Sequence, residues 1–82
     1  MLLVTAQLAN ISIAAHEIEQ IASRMKETTL GFEKIKGNEA NFEKTYAYNM
    51  EVFKRQLSRL QDSLKQLNRV AEDFEKEVRH YQ

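Results

Sequence analysis

The stretch EKIKGNEANFEKTY, residues 33–46, decides how this chain folds. On either side of it the apolar residues keep one rhythm, and inside it the rhythm is lost. In the N-terminal half Val4, Leu8, Ile11, Ala15, Ile18, Ala22, Met25, Thr29 and Phe32 step by four and three. In the C-terminal half Tyr46, Met50, Phe53, Leu57, Leu60, Leu64, Leu67, Ala71, Phe74, Val78 and Tyr81 do the same. Such alternating steps return to one side of an α-helix, so each half carries an apolar seam. A four-step from Phe32 lands on Lys36, and the second series run backwards lands on Glu43 or Glu39. The two seams do not join.

Gly31 and Gly37 are the only glycines, and both lie at this gap. A glycine just past a helix can take the left-handed cap conformation, and Asn38 behind it is a favoured N-cap. Glu39 would then sit in a first turn, where the helix dipole favours an anion. The alternative is one straight helix with a stutter, which the two glycines disfavour. The expected fold is all-α, a single domain over 1–82 built as an antiparallel two-helix hairpin. Helix 1 is expected over about 3–31, the hinge over about 31–38 (Gly31, Gly37 and Asn38), and helix 2 over about 39–81. No strand alternation is present, and the absence of Pro leaves both helices uninterrupted.

With the fold-back centred near residue 35, residue i of helix 1 lies opposite roughly residue 70 − i of helix 2. Helix 1 then ends opposite about Leu67, and Val70, Phe74, Val78 and Tyr81 extend beyond it for roughly 20 Å with no intrachain cover. A second group of apolar residues clusters near the hinge, where Phe42, Tyr46, Tyr48, Met50, Val52 and Phe53 fall within twelve residues. Aromatics and Met are enriched in interfaces. Candidate partner-binding residues are therefore Tyr46, Tyr48, Met50 and Phe53 near the hinge and Val70, Phe74, Val78 and Tyr81 at the tail. Ala14, Ile21 and Ile35 flank the first seam and widen it, whereas Ile13, Tyr48 and Val52 point away from the seams. A hairpin of this size seldom supports itself. A partner chain, either a second copy or another helical protein, is expected to complete a four-helix bundle.

Composition narrows the function classes. The chain has 82 residues, with twelve basic side chains balanced by twelve acidic ones. A neutral surface does not recommend nucleic acid as a partner. Without Cys there are no disulfides and no thiolate metal sites. The N-terminus MLLVTAQLANISIAA has no Lys or Arg before Arg24, and Gln7 and Asn10 interrupt its apolar run, so no cleaved signal is expected. No run is long enough to span a bilayer, and no membrane insertion is expected.

The search for chemistry ends quickly. Glu77 and His80 have the Glu-x-x-His spacing used by di-metal bundles, and His16 with Glu19 reverses it. Such ligands must project into a core, and both histidines fall outside the seams, so no metal and no cofactor is expected. No phosphate-binding glycine loop and no nucleophile with a nearby base is present. Lys54, Arg55 and Arg59 are flanked by Glu51 and Asp62, which reads as a solvated helix face rather than a phosphate site. The chain is not expected to be an enzyme.

The layout of short Cys-free helices, a hinge glycine at Gly37, and Ala40, Phe42 and Tyr46 opening helix 2 resembles the WXG/ESAT-like helical hairpins of type VII secretion. NISIAAHEIEQIASRM resembles the usual opening of their first helix. The signature Trp is absent, with Ile35 in its place, and the spacing from there to Phe42 is one residue short. The export signal of an aromatic followed four positions later by an acid is also missing: Phe74 is followed by Val78. The resemblance implies a divergent small partner, of the kind that accompanies the helical N-terminal domains of LXG-type toxins. It implies a cytoplasmic protein that leaves the cell by a signal-peptide-independent route together with its partner.

Three readings stay open at this level. The first is a non-catalytic adaptor or targeting component of a type VII-like system, acting by helix-bundle association. The second is a chaperone or structural subunit of another apparatus, such as the coiled-coil hairpins of type III systems, or a generic coiled-coil assembly protein. The third is a metal- or ligand-binding helical bundle.

Overall fold

The computed structural model describes residues 2–35 and 42–80, with side chains described at 4–34 and 43–80. Helix α1 spans Leu2–Ile35 and helix α2 spans Phe42–His80. The two pack against each other along their length as a hairpin. The pair is a rod of 64 × 14 × 13 Å with a radius of gyration of 18.6 Å. A globule of this chain length would have a radius of gyration of about 12 Å. Little of the chain is therefore far from solvent.

The hinge lies further along the chain than the glycine pattern suggests. Helix α1 continues through Gly31 to Ile35, past the expected end at residue 31. Gly31 serves packing rather than termination: a Cβ there would stand 3.2 Å from Asn49 Nδ2 on α2. A glycine inside a helix costs about 1 kcal/mol relative to alanine, and here that cost accompanies a close approach of the two helices. Helix α2 is described from Phe42, and the start expected near 39 lies outside the described residues. Gly37 and Asn38 lie outside the described residues.

This shift changes which residues meet. Phe32 packs edge-on against Tyr46, with ring centroids 5.2 Å apart. Thr28 donates a hydrogen bond to Gln56 Oε1 at 2.9 Å. The paired numbers, together with Gly31 and Asn49, sum to 78, 80 and 84, so the fold-back is centred near residue 40. Moving that centre by five residues slides the register by ten. Helix α1 consequently reaches almost to the end of α2, and the expected uncovered tail does not exist. Val70 is buried at 7 % exposure, and Phe74 and Val78 are half-buried. Tyr81 lies outside the described residues.

The seam itself is also rotated from the expected one. One column on each helix is as expected: Val4, Ile11, Ile18, Met25 and Phe32 on α1, and Phe53, Leu60, Leu67 and Phe74 on α2, are all half-buried. The second column that turns inward is Gln7, Ala14, Ile21 and Thr28, facing Asn49, Gln56, Ser63, Val70 and Glu77. Ala14, Ile21, Ser63 and Val70 are the buried residues of the described chain. Of the expected second column, Leu8, Leu57 and Leu64 stay outside, 51 %, 38 % and 46 % exposed, while Ala15, Met50 and Val78 are half-buried. Polar groups in the inner column remain satisfied. The Thr28 hydroxyl lies 3.1 Å from the Arg24 carbonyl as well as 2.9 Å from Gln56, so its single proton is shared. No fully buried side-chain nitrogen or oxygen among the described residues lacks a partner.

The register makes two measurable statements. Spin labels at Thr5 and Glu75 should lie within about 20 Å, against about 105 Å in a straight helix. Val70→Ala should lower the unfolding free energy by about 1–3 kcal/mol in urea titration, because it removes methyl groups from a site that α1 covers. A loss below 0.5 kcal/mol would return Val70 to an uncovered tail.

Candidate partner-binding face

The hairpin has two unlike long faces. On one side of the seam, Glu17 and Arg24 of α1 line an open groove together with Arg59 of α2. Asn10 and Glu17 line a neighbouring groove with Gln66. The rims of these grooves are polar, whereas the largely exposed Ile13 and the buried Ala14, Ile21 and Val70 give their lining an apolar share. The residues flanking the seam on its other side share the opposite face. They are Leu8, Ala15, Ala22 and Thr29 on α1, and Met50, Leu57, Leu64, Ala71 and Val78 on α2.

That opposite face is apolar over most of its length. None of its residues carries a charge, and Thr29 alone is polar, its hydroxyl bonded to the Lys26 carbonyl at 2.6 Å. The half-buried column beside it adds the outer edges of Ile11, Ile18, Met25, Phe53, Leu60 and Phe74. No side chain among the described residues is wholly withdrawn from solvent. Each helix thus carries two adjacent, mainly apolar columns, one half-buried in the hairpin and one on the open face, beside a smaller and more polar inner column.

The residues singled out from sequence fall at different places. Met50 and Val78 lie on the open apolar face, and Phe53 and Phe74 lie at its edge. Val70 is inside the hairpin. Tyr46 is spent in part on its contact with Phe32. Tyr48 is 65 % exposed and points elsewhere, as expected. Val52, expected to point away, is half-buried near the hinge. Gly31 is an interior helix residue. Of the exposed leucines, Leu30 lies off both the seam and the apolar face, whereas Leu8, Leu57 and Leu64 were placed by the rhythm inside the seam. Their signal was the extra flank of Ala14 and Ile21, which made the apolar stripe too wide for one partner helix.

Charged groups contribute little to this arrangement. The ion pairs among the described residues, Arg55 with Glu51 and Arg79 with Glu75, are exposed and lie one helical turn apart on α2. His16 Nδ1 stands 3.9 Å from Glu19 Oε2, also at the surface. Among the described residues no three His, Cys, Asp or Glu side chains converge as metal ligands. No helix among them is long and apolar enough to cross a membrane.

Comparison with known proteins found no family model, no curated protein and no solved structure that matches this chain.

Exposed pairs of this kind are worth a few tenths of a kcal/mol each. Glu75→Ala and Arg79→Ala should each change the unfolding free energy by less than about 0.5 kcal/mol. The same titration in 1 M salt should give nearly the same midpoint, since little screened attraction is available to lose.

Proposed function

We propose that this chain is a non-catalytic protein–protein interaction module that works by helix-bundle association. The observation that carries this reading is the choice of inner column. Rotating each helix by about 50° would turn Leu8, Leu57 and Leu64 inward and Gln7, Gln56 and Ser63 outward. A solitary hairpin gains by that rotation, because burying a leucine is worth about 1.5–3 kcal/mol relative to leaving it exposed. The hairpin instead keeps Leu8, Leu57 and Leu64 on the surface, on one face, beside half-buried aromatics. That arrangement is favourable when another helical chain covers the face, which completes a four-helix bundle.

The sequence resemblance suggests a setting for such a module. It supports a small adaptor of a type VII-like secretion system, paired with a helical toxin domain and leaving the cell with it. Co-purification from the native host followed by mass spectrometry tests that setting. A helical toxin domain as the bound protein supports it, and needle or chaperone proteins point to another apparatus.

The association itself is tested on the purified chain. It should form oligomers at micromolar concentration, or fail to melt cooperatively until a partner is added. A well-folded monomer, seen by sedimentation and a cooperative thermal transition, would overturn the reading.

A further inference from the structure

The sizes of the side chains on the apolar face say which chain covers it. Thr28 with Gln56, Gly31 with Asn49 and Phe32 with Tyr46 fix the register of the pair. By that register the face is a series of levels, each holding one large and one small residue. Leu8 stands level with Ala71, Ala15 with Leu64, Ala22 with Leu57, and Thr29 with Met50. At the hinge-side levels the large residue belongs to α2, and at the open end it belongs to α1.

We infer that the face is covered by a second copy of this chain, docked with both hinges at the same end about a twofold axis parallel to the helices. The inference rests on the reading of the hairpin as an association module. That rotation sets α1 of one copy across from α2 of the other at the same height. Leu57 then meets Ala22 of the second copy, Leu64 meets its Ala15, and Leu8 meets its Ala71. Every contact is made twice, as a twofold interface requires. The whole face packs large against small, which is how closely packed layers interdigitate without voids.

The opposite docking, with the hinges at far ends, does not fill space in this way. It places α1 against α1 and α2 against α2. With the two faces fully overlapped, Ala15 and Ala22 would then face their own kind on one side, and Leu57 and Leu64 would do so on the other. The helices would be forced apart on the leucine side and leave a gap on the alanine side. Relieving this needs a slide of one copy that gives up overlap.

Length and charge are compatible with self-association. The apolar residues of the face, Met50 to Val78 on α2, run for about 42 Å along a rod 64 Å long, so two copies docked level overlap along the whole stripe. The chain has no net charge to repel its copy. The rims would bring Lys26 level with Lys54 of the second copy, at the solvent edge where such a pair costs little.

The test is double electron–electron resonance on Lys44→Cys carrying a spin label, with sedimentation on the same sample. Lys44 is exposed near the hinge end of α2 and lies off the apolar face. A dimer with labels about 30 Å apart is expected, against 50 Å or more if the hinges lie at far ends. A dimer with the long distance overturns the proposed docking and leaves the association reading intact. A monomer that is unfolded alone and folds with another protein overturns the second copy as occupant, again leaving that reading. A cooperatively folded monomer overturns both. A size swap adds an independent check. Leu57→Ala should weaken the dimer at least about 100-fold, and adding Ala22→Leu should restore most of the loss. No restoration in a double variant that stays helical overturns the large-on-small packing.

Discussion

Two helices lying side by side can cover two columns of each other, and on each helix of this chain two unlike columns compete for the second place. That competition governs the rest of the structure. The half-buried column, from Val4 to Phe32 on α1 and from Phe53 to Phe74 on α2, is used in either arrangement. The choice lies between the two columns beside it, and only one can face inward. The one left outside must be solvated or covered by another chain.

The inner column is the smaller and more polar of the two, which has a direct mechanical effect. Ala14, Ser63 and Thr28 are short, and Gly31 has no side chain to hold Asn49 away. The hairpin is 13–14 Å across by its Cα atoms, the width of two helices packed at about 8–10 Å between axes. Polar groups placed there must be paired, and the Thr28–Gln56 hydrogen bond does this near the hinge end. A hydrogen bond of this kind adds about 1 kcal/mol net, and its geometry also fixes the register. The intrachain contact is therefore specified by shape and one polar pair, with the larger apolar residues kept in reserve.

Much of this was legible in the sequence. The two helices, the fold-back between them and the column from Val4 to Phe74 follow from the three-four stepping alone. The inner column did not, because apolar periodicity favours the richer stripe: Leu57 and Leu64 outscore Gln56 and Ser63. That preference assumes that the hairpin must bury its best residues itself, and a chain that shares its core with another need not. The register was missed for a separate reason. Gly31 looks like a helix end when only neighbours in sequence are counted, and its close approach to Asn49 is a contact between helices. Placing the hinge there moved the centre of the fold-back to residue 35 and created a tail that α1 in fact covers. The candidates at Val70, Phe74 and Val78 followed from that displaced hinge, and Met50 from the cluster of aromatics beside it.

On the proposed reading, partner choice has to come from somewhere other than charge. The chain is neutral, the ion pairs of Glu51 with Arg55 and of Glu75 with Arg79 among its described residues are each local to α2, and its apolar face carries no charged residue. A long-range field cannot then steer association or reject wrong partners, as it does at strongly charged interfaces. What remains is the spacing of large and small residues along the face. Leu8, Leu64 and Leu57 stand out between Ala71, Ala15 and Ala22, and a partner with leucines at the same heights on the same sides would clash at each of them. Specificity of this kind is steric, and overpacking in a well-filled layer costs roughly 1–3 kcal/mol per site. Four levels in series make the penalty for a misplaced partner larger than any single contact. The alternation of sizes thus does two jobs on a neutral surface: it fills space against the right chain and excludes the wrong register.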